Sequence, residues 1–162
     1  MLSSRMLHTI LREAAEAGAA EILRFFQGSF EVSNKEGVNN LVTEADHASE
    51  KAILSVIKKA FPDHQILAEE SGALEQSSDY KWIIDPIDGT VNFAHGVPLC
   101  CISIAVKKDA AIVLGAIYNP MMDLLDYEYT SDNLNIMIYN YAVFNILLMW
   151  GLVYYKAEAI SM

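Results

Sequence analysis

The sequence predicts an α/β fold in which two long helices pack on a sheet of mainly antiparallel strands. Two stretches have the apolar period of an amphipathic helix, and several short apolar runs separated by turn residues follow them. The first helix is expected over Ser4–Phe26, where apolar residues recur with a step of about four and Gly28 ends the pattern. The second is expected over 43–60, where Thr43 and Asp46 resemble a capping box and Pro62 follows the last turn.

The expected strands are short apolar runs. Lys107, Lys108 and Asp109 join two of these runs as a hairpin, and the segment 74–80 is interpreted as a polar connection. The predicted strands are 30–33, Gln65–Ala68, 82–84, 100–106, 111–118 and 122–127.

Composition limits the classes of protein that this chain could belong to. Its 162 residues, 53% of them hydrophobic, are enough for one domain with a sizeable core. The net charge of −10 argues against nucleic acid as a partner and against electrostatic attachment to anionic lipid. No signal peptide is recognised at the N-terminus, and the adjacent Cys100 and Cys101 cannot readily bridge each other, so a cytoplasmic location is expected.

The stretch 82–98 carries the chemistry that the sequence suggests. It reads WIIDPIDGTVNFAHGVP, and Asp85 is expected to end a buried strand just before Pro86. Asp88 is expected to cap a short helix that Gly96 stops. The expected local structure is therefore a strand, an acidic loop and a short helix.

Two carboxylates three residues apart on such a loop can bind a divalent cation. Ile87 between them can add only its backbone carbonyl, and the N–H groups of the following helix favour an anion. The loop thus suits a metal-bridged phosphate, although a simple turn with a capped helix remains the alternative. A calcium loop is excluded because its twelfth position, counted from Asp85, is Gly96, and an aspartyl-phosphate phosphatase is excluded because Ile87 stands where a second Asp is needed.

The whole string resembles the signature of the inositol monophosphatase family, which is Asp-Pro-x-Asp-Gly-Thr-x-Asn-Phe followed by His-Gly-x-Pro. Phosphoadenosine-phosphate phosphatases and fructose bisphosphatases share only the Asp-Pro-x-Asp-Gly core, and they usually differ from this chain at 91–96. The resemblance covers about residues 7–123. It implies a layered α/β sandwich and Mg²⁺-dependent hydrolysis of a small phosphate monoester such as myo-inositol monophosphate.

The resemblance also implies roles for individual residues. The first glutamate of Glu69-Glu70-Ser71 would bind metal and help to position the attacking water. Asp46 belongs to a Val-Thr-x-x-Asp motif whose aspartate lines the metal site in the family, and a purely structural role at the start of its helix remains the alternative. Because Glu69, Asp85 and Asp88 are each expected to end a strand, we expect them to converge. The implied metal ligands are Glu69, Asp85, the Ile87 carbonyl and Asp88; the catalytic residues are Glu69, Thr90 and Asp46; the phosphate-binding residues are Asp88, Gly89 and Thr90.

The resemblance stops near Asp123. The family's Trp-Asp-x-Ala-Ala-Gly motif, whose aspartate is another metal ligand, is absent, since Gly151 follows Trp150. We therefore expect a family-like region at 1–130 and a divergent tail at 131–162. The segment 133–155 carries no formal charge, and a foreign tail is favoured there over a membrane anchor or a buried element.

Two functional hypotheses follow from these observations. The first is a Mg²⁺-dependent phosphatase acting on a small phosphate monoester, with phosphatases of histidinol phosphate or phosphoadenosine phosphate as related alternatives. The second is an inactive truncated product that serves at most as a binding or dimerising module. A homodimer is compatible with both hypotheses, and membrane contact through 133–155 is not favoured.

Overall fold

A computed structural model describes residues 4–26, 32–34 and 41–128 of the chain. Helices and strands are interspersed along that part of the chain, which is typical of an α/β fold. They are α1 (Ser4–Phe26), β1 (Val32–Asn34), β2 (Leu41–Thr43), α2 (Glu44–Ala60), β3 (Gln65–Ala68), β4 (Gly72–Leu74), β5 (Tyr80–Asp88), α3 (Thr90–Ala94), β6 (Cys101–Lys108), β7 (Ala111–Asn119) and β8 (Leu124–Glu128).

The two long helices pack against each other through their apolar faces. Helix α1 has the bounds that the periodicity predicts, and α2 begins one residue after Thr43, so both helix predictions are confirmed. Gly18 of α1 is buried at their contact, where an added Cβ would lie 2.8 Å from the side chains of Ile53 and Ser49. A side chain larger than hydrogen at this position would therefore push the helices apart.

The helices cover one face of a six-stranded sheet with the order β4-β3-β5-β6-β7-β8. Strands β3 and β5 pair in parallel, and the other neighbouring strands of this sheet pair antiparallel, which confirms the antiparallel-rich α/β prediction. Helix α2 contacts β5, and α1 contacts β6 and β7. The largest fully buried side chains among the described residues are Trp82, Phe93, Leu11, Ile22, Ile53, Ile57, Ile66, Ile87, Ile102, Ile104 and Val106.

Two strand predictions need correction. Strand β5 does not end at Asp85, because it continues through Pro86 to Asp88 with a register shift against β6 between Asp85 and Asp88. This irregularity accommodates Pro86, which has no N–H to donate. Strand β4 was not predicted: it overlaps the predicted polar connection 74–80 only at Leu74 and pairs antiparallel with β3.

The predicted strand at 30–33 overlaps β1 at Val32 and Ser33, and residues 30–31 lie outside the described residues. The predicted tail 131–162, with its apolar segment 133–155, also lies outside them, so the predicted division of the chain stays a prediction. Within the residues that the structure describes, we find no helix with the length and apolar character that crossing a membrane requires.

Candidate metal and phosphate site

The parallel pairing of β3 and β5 brings two acidic residues to the same edge of the sheet. Ala68 pairs with Ile84, and the N–H of Glu69 donates to the carbonyl of Ile84 at 3.1 Å, which continues the ladder one residue further. Because paired residues of parallel strands advance in step, the residues after Ala68 and Ile84 lie side by side. The carboxyl groups of Glu69 and Asp85 accordingly share a hydrogen bond, although 16 positions separate the two residues in sequence.

The irregular end of β5 carries the other acidic residue. The N–H of Ile87 donates to Oδ1 of Asp85 at 3.1 Å, which folds the backbone back on the Asp85 side chain. Asp88 then pairs with Cys101 of β6. The charge of Asp88 acts on the Asp85 carboxyl group, so the three predicted acids lie in one neighbourhood.

The prediction that Asp88 caps the short helix is wrong. Gly89 stands at the N-cap position with a φ of 91°, and no side chain caps this helix. An added Cβ on Gly89 would lie 2.9 Å from the carbonyl oxygen of Leu99, so both the backbone angle and the space require glycine. The Asp88 carboxyl group instead accepts the N–H of Gly89, and the Cys101 thiol lies 4.0 Å from its Oδ2. The helix does stop at the predicted place, where Gly96 has a φ of 69°.

Thr90 and Asp46 lie beside this acidic group. The Thr90 hydroxyl is 2.9 Å from the carbonyl oxygen of Ile87 and 3.4 Å from Oδ1 of Asp46. It has a single proton, which the shorter contact assigns to the Ile87 carbonyl. Asp46 is 2% exposed in the first turn of α2. The Ile87 carbonyl oxygen, a predicted metal ligand, therefore already has one partner.

Burial and neighbouring charge set the protonation of these acids. Burial raises the pKa of Asp85 to about 8, and the charges of Glu69 and Asp88 add to that rise. Burial also raises the pKa of Asp88, against the opposing effect of the Gly89 N–H. A carboxyl group with a pKa near 8 keeps its proton at neutral pH, so Asp85 can donate that proton to Glu69.

The donor set fits a hard divalent cation, although it is not closed around one. Across 4–26, 32–34 and 41–128, no three His, Cys, Asp or Glu side chains converge tightly enough to hold a metal ion as they stand. The pKa of Asp85 nevertheless responds to both Glu69 and Asp88, because charges act over longer distances than coordination bonds. The arrangement is therefore an open group of carboxylates, which suits an ion such as Mg²⁺ that keeps several waters.

Two further acidic residues lie near the site. Glu70 is not among the ligands predicted from the sequence, and Glu50 was missed altogether. Glu70 follows Glu69, and its side chain is only 4% exposed, with Oε2 3.9 Å from Nδ1 of His47. Glu50 of α2 is also 4% exposed, and its Oε2 accepts the N–H of Glu70 at 2.8 Å. Glu50 occupies a mid-helix position, so the only available signal was its place on the apolar face of α2.

The cysteine prediction is confirmed. Neither Cys100 nor Cys101 forms a disulfide, and both are buried. Burial raises the pKa of the Cys100 thiol to about 12, helped by the charges of Asp46 and Asp88. This thiol is therefore protonated and unreactive at neutral pH.

Comparison with known proteins places the chain in a family. The sequence model of the inositol monophosphatase family matches residues 4–140. The chain is 41% identical over 121 residues to the Nus factor SuhB of Haemophilus influenzae, covering 74% of this chain and 45% of that protein. It is 43% identical over 123 residues to the inositol-1-monophosphatase of Synechocystis, covering 75% of this chain and 43% of that protein.

A solved structure shares the fold. The crystal structure of the extragenic suppressor protein SuhB from Bartonella henselae superposes with a TM-score of 0.73 at 34% identity, covering 76% of this chain and 48% of that chain. The chain thus spans a little under half the length of these relatives. The match over 4–140 shows that the chain belongs to the inositol monophosphatase family.

Proposed function

We propose that this chain carries the metal-binding and phosphate-binding part of a phosphatase that hydrolyses small phosphate monoesters. The observation that carries the proposal is the parallel pairing of β3 with β5, which places Glu69 beside Asp85, with Asp88 close enough for its charge to act on Asp85. The neighbouring carboxylates raise the pKa of Asp85, and a divalent cation would relieve that repulsion. The membership in a family of phosphatases supports the same reading.

The residues present would hold Mg²⁺ through Glu69, Asp85, Asp88 and the Ile87 carbonyl oxygen. When bound, the ion lowers the pKa of a water and neutralises charge on a phosphate. Loss of the proton that Asp85 shares with Glu69 would leave both carboxylates ready for this role. The Asp88 carboxyl group would turn toward the ion, which frees the Gly89 N–H that it now accepts.

The remaining groups would act on the substrate and on the attacking water. The Glu69 carboxylate would take a proton from that water, and the Thr90 hydroxyl, held between Ile87 and Asp46, would orient it. The N–H groups of Gly89 and Thr90 would donate to the phosphate. Asp46, buried in α2 and 3.4 Å from the Thr90 hydroxyl, would stand ready to accept its proton.

The substrate class that we favour is a polyol phosphate such as myo-inositol monophosphate. Support comes from relatives of 43% and 40% identity that are named inositol-1-monophosphatases. Relatives of 41% and 40% identity are named Nus factor SuhB, so a role as such a factor is the second candidate. The net charge of −10 makes direct contact with nucleic acid through this chain unfavourable.

The test is phosphate release by the purified chain from myo-inositol 1-phosphate, histidinol phosphate and phosphoadenosine phosphate, with Mg²⁺ or with EDTA. We expect weak release that requires Mg²⁺, is greatest with the inositol phosphate, and is lost in Asp85→Asn. Asp79→Asn, which removes a charge at the opposite end of β5, is the matched control. Release that persists in EDTA or in Asp85→Asn would contradict the proposal. No release together with retained Mg²⁺ binding would favour the inactive binding module.

A further inference from the structure

Helix α2 presents a buried polar edge to the site. Asp46, Ser49 and Glu50 are 2%, 0% and 4% exposed, while the neighbouring Ala45 and Ile53 belong to the apolar core. Residues three and four apart share one face of a helix, so these three side chains project in the same direction. Buried polar groups are costly unless they are hydrogen-bonded. Ser49 and Glu50 each have a hydrogen-bond partner outside the helix, and Asp46 lies beside the Thr90 hydroxyl.

Each partner lies on a different segment of the site. Asp46 is 3.4 Å from the Thr90 hydroxyl, which follows β5. The Ser49 hydroxyl donates to the carbonyl oxygen of Pro86 at 3.2 Å, inside the irregular part of β5. Glu50 accepts the N–H of the residue after Glu69 at 2.8 Å. One rigid helix thus holds the chain by hydrogen bonds at two points around the carboxylates, and its Asp46 lies beside a third.

The contact of Glu50 bears most directly on Glu69. The N–H of Glu69 is held by the Ile84 carbonyl at 3.1 Å, and the next N–H, that of Glu70, is held by Glu50 at 2.8 Å. When two successive N–H groups are held, the backbone angles of the residue between them are fixed. The direction in which the Glu69 side chain leaves the backbone is then fixed, on the side where Asp85 lies.

We propose that Glu50 is a positioning residue that holds the turn after β3, so that the Glu69 carboxylate is aimed at the metal site. The inference deepens the proposed function and rests on it for its consequence in metal binding. Glu50 itself is turned to a backbone N–H, so it acts through Glu69. Groups that orient metal ligands in this way typically change metal affinity by about 10-fold to 100-fold when removed.

The test compares Glu50→Ala with Glu50→Gln in the full 162-residue chain. Alanine removes the acceptor, whereas glutamine keeps a side-chain oxygen that can accept the Glu70 N–H. Leu54→Ala is the matched control, because Leu54 is 9% exposed one turn further along α2 and its truncation removes only apolar packing in the core. The first readout is amide hydrogen exchange at Glu70 in the absence of metal, and the second is Mg²⁺ affinity by calorimetry.

Glu50→Ala should speed exchange at Glu70 at least about 10-fold relative to the interior of α2 and weaken Mg²⁺ binding about 10-fold. Glu50→Gln should stay within about twofold of the unaltered chain in both readouts, and Leu54→Ala should lower thermal stability without changing Mg²⁺ affinity. Unchanged exchange at Glu70 in a folded Glu50→Ala chain would overturn the positioning role. Equal losses of exchange protection and Mg²⁺ affinity in Glu50→Ala and Glu50→Gln would also overturn it, because the negative charge of Glu50 would then be responsible rather than its hydrogen bond. Absence of Mg²⁺ binding by the unaltered chain would overturn the proposed function, and the exchange readout would still decide the role of Glu50.

Discussion

Replacing Asp85 with asparagine should stabilise the metal-free chain while abolishing its response to Mg²⁺. Asparagine keeps an oxygen that accepts the Ile87 N–H, seen at 3.1 Å, and its amide can donate to Glu69 in place of the shared proton. The substitution therefore preserves the local hydrogen bonds and removes one ionisable group. Asp85→Asn therefore separates the stability of the metal-free chain from its ability to bind Mg²⁺.

The size and pH window of the effect follow from the raised pKa. Burial, assisted by Glu69 and Asp88, raises the pKa of Asp85 from 3.8 to about 8. The folded chain then holds a proton that the unfolded chain releases, so stability is lost as pH rises from about 4 to about 8. At about 1.4 kcal/mol per pKa unit the upper limit is about 6 kcal/mol, and relaxation and water entry reduce the expected loss to about 2 kcal/mol.

The assay is urea unfolding in EDTA at pH 5 and at pH 9. The free energy of unfolding of the unaltered chain should fall relative to that of Asp85→Asn by about 2 kcal/mol between these pH values. Addition of Mg²⁺ at pH 9 should restore stability only in the unaltered chain, because binding to the folded state alone stabilises it. Asp79→Asn controls for the loss of one charge. Parallel pH profiles of the unaltered chain and Asp85→Asn would refute the reasoning.

Three other substitutions or conditions test the packing around the site. Gly89→Ala should lower the free energy of unfolding in urea by at least about 2 kcal/mol, because Gly89 has a φ of 91° and an added Cβ would lie 2.9 Å from a backbone carbonyl oxygen. A loss below about 0.5 kcal/mol would contradict this backbone strain. Gly18→Ala should lose about 1–3 kcal/mol, because its Cβ would lie 2.8 Å from side chains of α2, and an unchanged melting temperature would show that the helices can separate freely. Burial lowers the pKa of His64, against the charge of a neighbouring aspartate, and Nδ1 of His64 accepts the Trp82 indole N–H at 3.0 Å. The measurement uses Asp85→Asn, because Asp85 itself would add stability as the pH drops. The free energy of unfolding of this variant should fall between about pH 7 and about pH 5, and a flat profile would argue against a neutral buried His64.

Elements with a strong local signal could be predicted from the sequence. Helix α1 was placed with its observed bounds because its apolar period persists over its whole length. Strand β4 was missed because Gly72–Leu74 is short and exposed, so it has no alternation and depends on pairing with β3. Such pairing depends on the neighbouring strand, so the sequence of a three-residue exposed segment does not reveal it.

The same distinction applies to the site. The carboxylates of 82–98 stood out because their spacing is local, and the pairing of β3 with β5 then brought Glu69 to them. The capping role given to Asp88 failed because β5 continues past Asp85, which moves the start of the helix to Gly89. Glu50 was missed because its contact with Glu70 spans 20 residues and only the folded chain brings the two together.

The most direct test of the proposed metal site is Mg²⁺ titration of the unaltered chain and of Asp88→Asn by calorimetry at pH 8. Because no side chain caps the short helix and the Asp88 charge repels Asp85, asparagine at this position should not lower the melting temperature in EDTA. If Glu69, Asp85 and Asp88 hold the ion together, Asp88→Asn should weaken Mg²⁺ binding by at least about 10-fold, since one of the three carboxylates is removed. A superimposable titration of Asp88→Asn and the unaltered chain would contradict the shared metal site.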